Sequence, residues 1–158
     1  MKKYFIVAGE PSGDLHGSKL IKAIKHLNPN SSFMGHGGDS MRNEGMHIIE
    51  HVDSLAIMGF AEVLRHLPRM NKIMRNTVGA IERSKPDRVI LIDYPGFNLR
   101  LAKRLSPLKI PITYFILPQA WAWKQRRVEV LKRFIDQSIS IFPFENDWYK
   151  KHGLRVEY

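Results

Sequence analysis

Two carboxylates stand where an apolar run meets a turn. The first is Glu10, in Gly9-Glu10-Pro11-Ser12-Gly13-Asp14, directly after the apolar stretch 4–8. The second is Asp93, in Ile92-Asp93-Tyr94-Pro95-Gly96-Phe97-Asn98, the first polar group after Val89-Ile90-Leu91-Ile92. An acid at the rim of a buried strand can take a proton from a hydroxyl if it reaches the reacting atom. Two such acids at the ends of parallel strands can converge on one cleft. Each also has a simpler role open to it. Ser12 or Asp14 can cap the helix that follows the first turn, and Asp93 can hold a turn while Asn98 caps the next helix. Gly9 and Gly13 permit a tight turn, and free N–H groups at a helix start can receive an anion or a hydroxyl. The segment is neither the dinucleotide glycine fingerprint nor a lysine-bearing Walker A loop, so by itself it implies neither NAD nor ATP.

A third segment, Leu117-Pro118-Gln119-Ala120-Trp121-Ala122-Trp123-Lys124, sets two tryptophans one residue apart, ahead of Arg126, Arg127, Lys132 and Arg133. Aromatics beside cations stack on bases or sugars, or sit at a membrane interface. The plain alternative is a loop tucked into the core, with the cations as a solvated face or a phosphate clamp. A fourth segment interleaves Met58, Phe60, Val63, Leu64, Leu67 and Met70 with Arg65, Arg69, Lys72 and Arg75. That pattern suits a helix lying in a lipid interface, and its methionines suit acyl chains. Core packing of a long helix gives the same pattern. The seven histidines have no metal-ligand spacing.

These groups must be positioned by regular elements. Residues 4–8, 32–35, 88–92, 111–115 and 137–142 read as strands. Residues 14–27, 39–44, 61–83, 98–105, 124–134 and 145–151 carry helical spacing, with a kink or break at Pro68. Residues 155–158 read as the start of a further strand. Alternating strands and helices make an α/β protein, a Rossmann-like parallel sheet with flanking helices. The length of 158 residues suits one domain. A hydrophobic share of 44% with 25% charged residues excludes a disordered chain. There is no cysteine, so disulfides and thiolate metal sites are excluded. No apolar run approaches the ~20 residues of a membrane-spanning helix. A net charge of +10 favours anionic partners: nucleic acid, lipid headgroups or phosphorylated substrates.

Taken in order, the motifs resemble one family. Gly9-Glu10-Pro11-Ser12-Gly13-Asp14 is similar to its G-E-x-S-G-D start. Phe33-Met34-Gly35-His36-Gly37-Gly38 with Met41 and Gly45, then Met58-Gly59 with Glu62-Val63-Leu64, follow its next blocks. Lys85-Pro86-Asp87, Ile92-Asp93, Pro95, Phe97-Asn98, Pro118, Trp121-Ala122-Trp123, Arg127 and Pro143-Phe144-Glu145 complete the series. Each block is weak alone; together they resemble lipid-A-disaccharide synthases over essentially the whole chain, which matches the first half of that family's length.

The resemblance implies the N-terminal domain of a GT-B type glycosyltransferase. Residues 1–158 would form the acceptor and membrane side, and a C-terminal UDP-sugar-binding domain would be missing. It implies inverting transfer of 2,3-diacylglucosamine from UDP-2,3-diacylglucosamine to 2,3-diacylglucosamine 1-phosphate, with no cofactor or metal, at the inner face of the cytoplasmic membrane. Asp93 aligns with the general base and Glu10 with a second acid. Ser12, Gly13, Asn98, Trp121, Arg126 and Arg127 are the substrate-binding candidates. Met58, Phe60, Val63, Leu64, Leu67 and Met70 are the acyl-chain or membrane contacts. A second aspartate common in relatives is replaced here by Gly96. The fragment is expected to be inactive without the other half. Alternatives are another GT-B sugar-nucleotide enzyme, or a non-catalytic module that grips lipid or polyanion. No helix-turn-helix, RNP or zinc pattern supports nucleic-acid binding.

Overall fold

A computed structural model describes residues 1–56, 67–120 and 126–158. Its strands are β1 (Lys2–Ala8), β2 (Ser31–Gly37), β3 (His47–His51), β4 (Arg88–Ile92), β5 (Ile112–Phe115) and β6 (Gln137–Ile139). Its α-helices are α1 (Pro11–Leu27), α2 (Asp39–Asn43), α3 (Val52–Ala56), α4 (Leu67–Ser84), α5 (Pro95–Leu105), α6 (Arg126–Phe134) and α7 (Pro143–Lys151). All strand pairs are parallel, in the order β3-β2-β1-β4-β5-β6. This is a doubly wound order, and it bears out the Rossmann-like parallel sheet that the alternating pattern implied.

The central strands show why the sheet forms. Phe5, Ile6, Val7 and Ala8 are fully buried, as are Val89, Leu91 and Ile92, with Ile90 nearly so. Side chains alternate across a strand. Phe5, Val7, Val89 and Leu91 therefore meet α4, α5 and α6 through Ile73, Ile81, Leu101, Leu105 and Leu131. Ile6, Ala8, Ile90 and Ile92 meet the opposite layer through Ile21 of α1 and Met41 of α2. Two-sided burial explains why both strands read as unbroken apolar runs.

Several boundaries differ from the sequence reading. Helix α1 begins at Pro11 and α5 at Pro95, each about a turn earlier than the apolar spacing indicated, because proline at the first helical position is pre-set for the helix. Strand β3 carries no fully buried residue, and its polar edge character hid it from the pattern. Strand β6 stops at Ile139. Beside it, Glu157 forms a parallel bridge with Ile139, in keeping with the strand expected from residue 155.

Register sets the site. Ala8 pairs with Ile92, Ile92 with Phe115, and Phe115 with Ile139. The carboxyl ends of β1, β4, β5 and β6 therefore lie level. The turns that follow them share one rim.

Candidate functional site

The rim begins with two backbone exceptions. Asp93 and Tyr94 have φ of 45° and 49°, consecutive left-handed residues between β4 and α5. Ile116, after β5, has φ of 63°. A branched residue in this region is uncommon, and such conformations cluster where a side chain must be aimed. Asp93 is held through both of the peptide groups that flank its Cα. Its N–H donates to the Phe115 carbonyl at 3.1 Å. Its carbonyl accepts from the Tyr114 hydroxyl at 2.6 Å and from Asn98 Nδ2 at 2.8 Å.

Glu10 is brought to the same place. It occupies the N-cap position of α1, makes no side-chain cap bond, and is exposed. A Cβ on Gly9 would fall 2.3–2.5 Å from ring atoms of Tyr94, so the aromatic ring and the first turn lie in contact. Burial, and then the neighbouring charge of Glu10, hold the Asp93 carboxyl above the ordinary carboxylate range. The Tyr94 backbone N–H and the Arg127 guanidinium partly offset this, and Glu145 reinforces it. Glu10 is thus near enough for its charge to act on Asp93. An open cavity of about 300 Å³ lies here, lined by Asp93, Pro95, Ile116, Leu117, Gln119, Arg127 and Phe142. A larger one of about 520 Å³, at Asn146, Asp147, Lys150 and Arg155, contains none of the strand-end acids. Of the two cavities, only the smaller is lined by a strand-end acid, Asp93; Glu10 is not among its lining residues.

The other expected residues fall out as follows. Arg127 is half-buried and lines the cavity, whereas Arg126 is exposed outside it. Ser12 is exposed in the first turn of α1. Gly13 is buried, with space for a Cβ only 3.2 Å from that of Ala8, so it serves close helix–strand packing. Asn98 does not cap α5. It lies inside the helix, fully buried, and its amide runs beneath the ends of β1 and β4. Asp14 does not cap its own helix either. Its carboxylate accepts from Gly38, Ser40 and Met41 N–H groups at 2.8, 3.1 and 3.0 Å, so it caps α2 across the fold. Leu67 is exposed and Met70 is half-buried against the core. Met58, Phe60, Val63, Leu64 and Trp121 lie outside the described residues. Among the described residues no group of His, Asp or Glu could hold a metal ion.

Two residues were missed as site components. Tyr114 is fully buried and supports Asp93 from below. Glu145 is also buried, is bonded to Ser140 Oγ, and adds its charge near Asp93. Glu145 sits in the Pro143-Phe144-Glu145 block, which was the available signal. Nothing in the spacing around Tyr114 marked it.

The fold is that of a Rossmann-like domain of the GT-B type. By structure the chain is similar to a UDP-GlcNAc 2-epimerase from Neisseria meningitidis solved with UDP-GlcNAc, with TM-score 0.67 and 12% identity over 99% of this chain and 45% of that one. It is also similar to a Streptomyces sp. SF2575 glycosyltransferase solved with thymidine diphosphate, with TM-score 0.51 and 16% identity over 92% of this chain and 51% of that one. Such identities speak to the fold alone. By sequence, residues 4–158 match the family model described as lipid-A-disaccharide synthetase, and the chain belongs to that family. It is 38% identical to the lipid-A-disaccharide synthase of Myxococcus xanthus, over 99% of this chain and 41% of that protein. It is 42% identical to that of Acidobacterium capsulatum, over 98% of this chain and 38% of that protein. The chain thus spans about two fifths of the length of the curated relatives it matches.

Proposed function

We propose that the chain is the acceptor-side domain of a lipid-A-disaccharide synthase, which transfers 2,3-diacylglucosamine from UDP-2,3-diacylglucosamine to 2,3-diacylglucosamine 1-phosphate. The observation that carries this reading is Asp93: a carboxylate with raised proton affinity, coupled to Glu10, on the cavity wall of a family member. Asp93 takes the proton of the acceptor 6-hydroxyl. The freed oxygen forms a bond to the anomeric carbon as the bond to UDP breaks, and UDP leaves with the electron pair. One displacement inverts the anomeric centre. A carboxylate of raised pKa is a stronger base, and it remains ionised at pH values above that pKa. Glu10 supports positive charge developing on the sugar, and Arg127 receives an anionic group of the substrate.

The remaining domain of the longer relatives supplies most of the donor site, so this chain alone is inactive. Its surface suits an anionic membrane. Helices α4, α5 and α6 cover one face of the sheet and expose Arg69, Lys72, Arg75, Arg100, Lys103, Arg104, Arg126, Lys132 and Arg133, with Glu82 and Glu129 as their only acids. No described helix is long and apolar enough to cross a membrane. Our reading of its localisation is peripheral, on the inner face of the cytoplasmic membrane, and the cationic face of α4, α5 and α6 supports it.

The test measures UDP release from both diacylated substrates. The chain alone gives no turnover, the full-length protein does, and Asp93→Ala in that protein abolishes it while the fold is kept. Full activity of a folded Asp93→Ala protein sinks the base assignment. Turnover by the chain alone overturns the division of labour.

A further inference from the structure

The left-handed pair Asp93-Tyr94 has no glycine to ease it. Its persistence has to be explained by what surrounds it. Two buried side chains meet on a single atom, the Asp93 carbonyl oxygen. Tyr114 reaches it from the neighbouring strand β5 and Asn98 from inside α5, and neither side chain is exposed at all. Burial, followed by the nearby Asp93 carboxylate, pushes the Tyr114 hydroxyl well above its ordinary pKa, so it stays protonated and remains a donor. Asn98 Nδ2 also lies 3.3 Å from the Ile92 carbonyl and 3.4 Å from that of Val7, which ties the bracket to the ends of β4 and β1. The carbonyl held by Tyr114 and Asn98 and the N–H held by the Phe115 carbonyl belong to the two peptide groups that flank the Asp93 Cα, so its φ and ψ are both restrained. Its side chain is thereby left facing the cavity.

We propose that Tyr114 and Asn98 are positioning residues for Asp93. They touch no substrate. They hold the backbone in the conformation that aims the carboxylate and keeps it partly desolvated. A similar buried phenol offers an internal comparison: the Tyr149 hydroxyl donates to the carbonyl of Pro118, next to the cavity residues Leu117 and Gln119. Tyr149 thus supports the adjoining loop and not the Asp93 turn. The catalytic meaning of the proposal rests on Asp93 acting as the base, but its structural content does not.

The experiment uses Tyr114→Phe, which keeps the ring and removes one hydroxyl, with Tyr149→Phe as the comparison. Backbone carbon shifts and N–H/Hα couplings at residues 93 and 94 report φ, and a carboxyl-carbon titration reports the Asp93 proton affinity. Tyr114→Phe should move residues 93 and 94 out of the left-handed region and bring the Asp93 titration down toward the ordinary carboxylate value. Tyr149→Phe should change neither. If Tyr114→Phe leaves both readouts where they were, the proposal is overturned, and Tyr114 only fills the core. In the full-length protein, Tyr114→Phe should lower kcat roughly tenfold or more with little change in KM. A folded Asp93→Asn protein that keeps its activity, beside a displaced turn in Tyr114→Phe, removes the base reading and leaves the positioning role standing.

Discussion

The ring of Tyr94 lies across Gly9, so close that a β-carbon there would sit 2.3 Å from Cδ1. Turns separated by more than eighty residues in sequence are thereby locked together, one carrying Glu10 and the other Asp93. Gly9→Ala forces the ring aside or opens the turn. Overpacking of this kind costs about 1–3 kcal/mol. Gly96, in the first turn of α5, has nothing within 4 Å of the place its β-carbon would occupy. Gly96→Ala should therefore be neutral or stabilise by up to ~1 kcal/mol through helix propensity. Thermal unfolding of the two variants side by side should show opposite signs.

Asp14 ties α1 to the start of α2 with three backbone N–H groups on one carboxylate. The side chain is almost wholly buried, so its removal leaves donors without partners. Asp14→Ala should lose about 2–4 kcal/mol. Asp14→Asn keeps one acceptor oxygen and should lose less. Urea midpoints give the comparison, and equal stability of all three proteins would contradict the capping role.

Asp93 is held protonated more readily in the folded chain than in the unfolded one, first by burial and then by Glu10. A raised folded-state pKa stabilises the fold below the unfolded value, and this contribution disappears as pH rises through the folded value. At neutral pH the ionised carboxylate is therefore a cost. Asp93→Asn should unfold at higher temperature than the parent near neutrality, and the gain should shrink as pH falls below the ordinary carboxylate range. Asparagine also tolerates a left-handed backbone, but that benefit does not vary with pH. The pH-dependent part isolates the electrostatic one.

His36, in β2, is buried to 1% exposure, and burial lowers its pKa from 6.5 to about 4. Its Nε2 lies 3.0 Å from the Thr77 hydroxyl. A depressed folded-state pKa gives stability that is full above the unfolded value of 6.5 and is lost as pH falls through about 4. The shift corresponds to roughly 3 kcal/mol. His36→Leu leaves Thr77 its bond to the Ile73 carbonyl at 2.6 Å and removes the titration. Urea midpoints of that variant should decline less than the parent's across this window.

Some of this was legible in the sequence and some could not be. Strand β4 was read to the residue, because a β-branched run flanked by Pro86-Asp87 and Asp93 leaves little choice. The same run exposed Asp93 as the first polar group at the sheet rim. Apolar spacing places the starts of α1 and α5 late, because at Pro11 and Pro95 proline looks like a turn residue until its place in the helix is seen. Asp14 and Asn98 look like local caps in the sequence, because local spacing is all that a sequence displays. Their bonds span 24 to 27 residues for Asp14, and reach as far as 91 residues to Val7 for Asn98. Tyr114 was hidden for the same reason. A strand tyrosine reads as sheet packing, and only the register with β4 brings its hydroxyl to the Asp93 carbonyl.

The level strand ends have a kinetic consequence. Asp93, Gln119 and Phe142, which line the cavity, come from three separate turns, and no two are neighbours in sequence. They meet only when β4, β5 and β6 have paired in order, each pairing closing a loop. Long-range parallel pairing is slow to form. No stretch of chain carries a partial version of the cavity into the refolding reaction. Recovery of a ligand signal at this rim should then follow the slowest phase of refolding, and not the earlier appearance of helix.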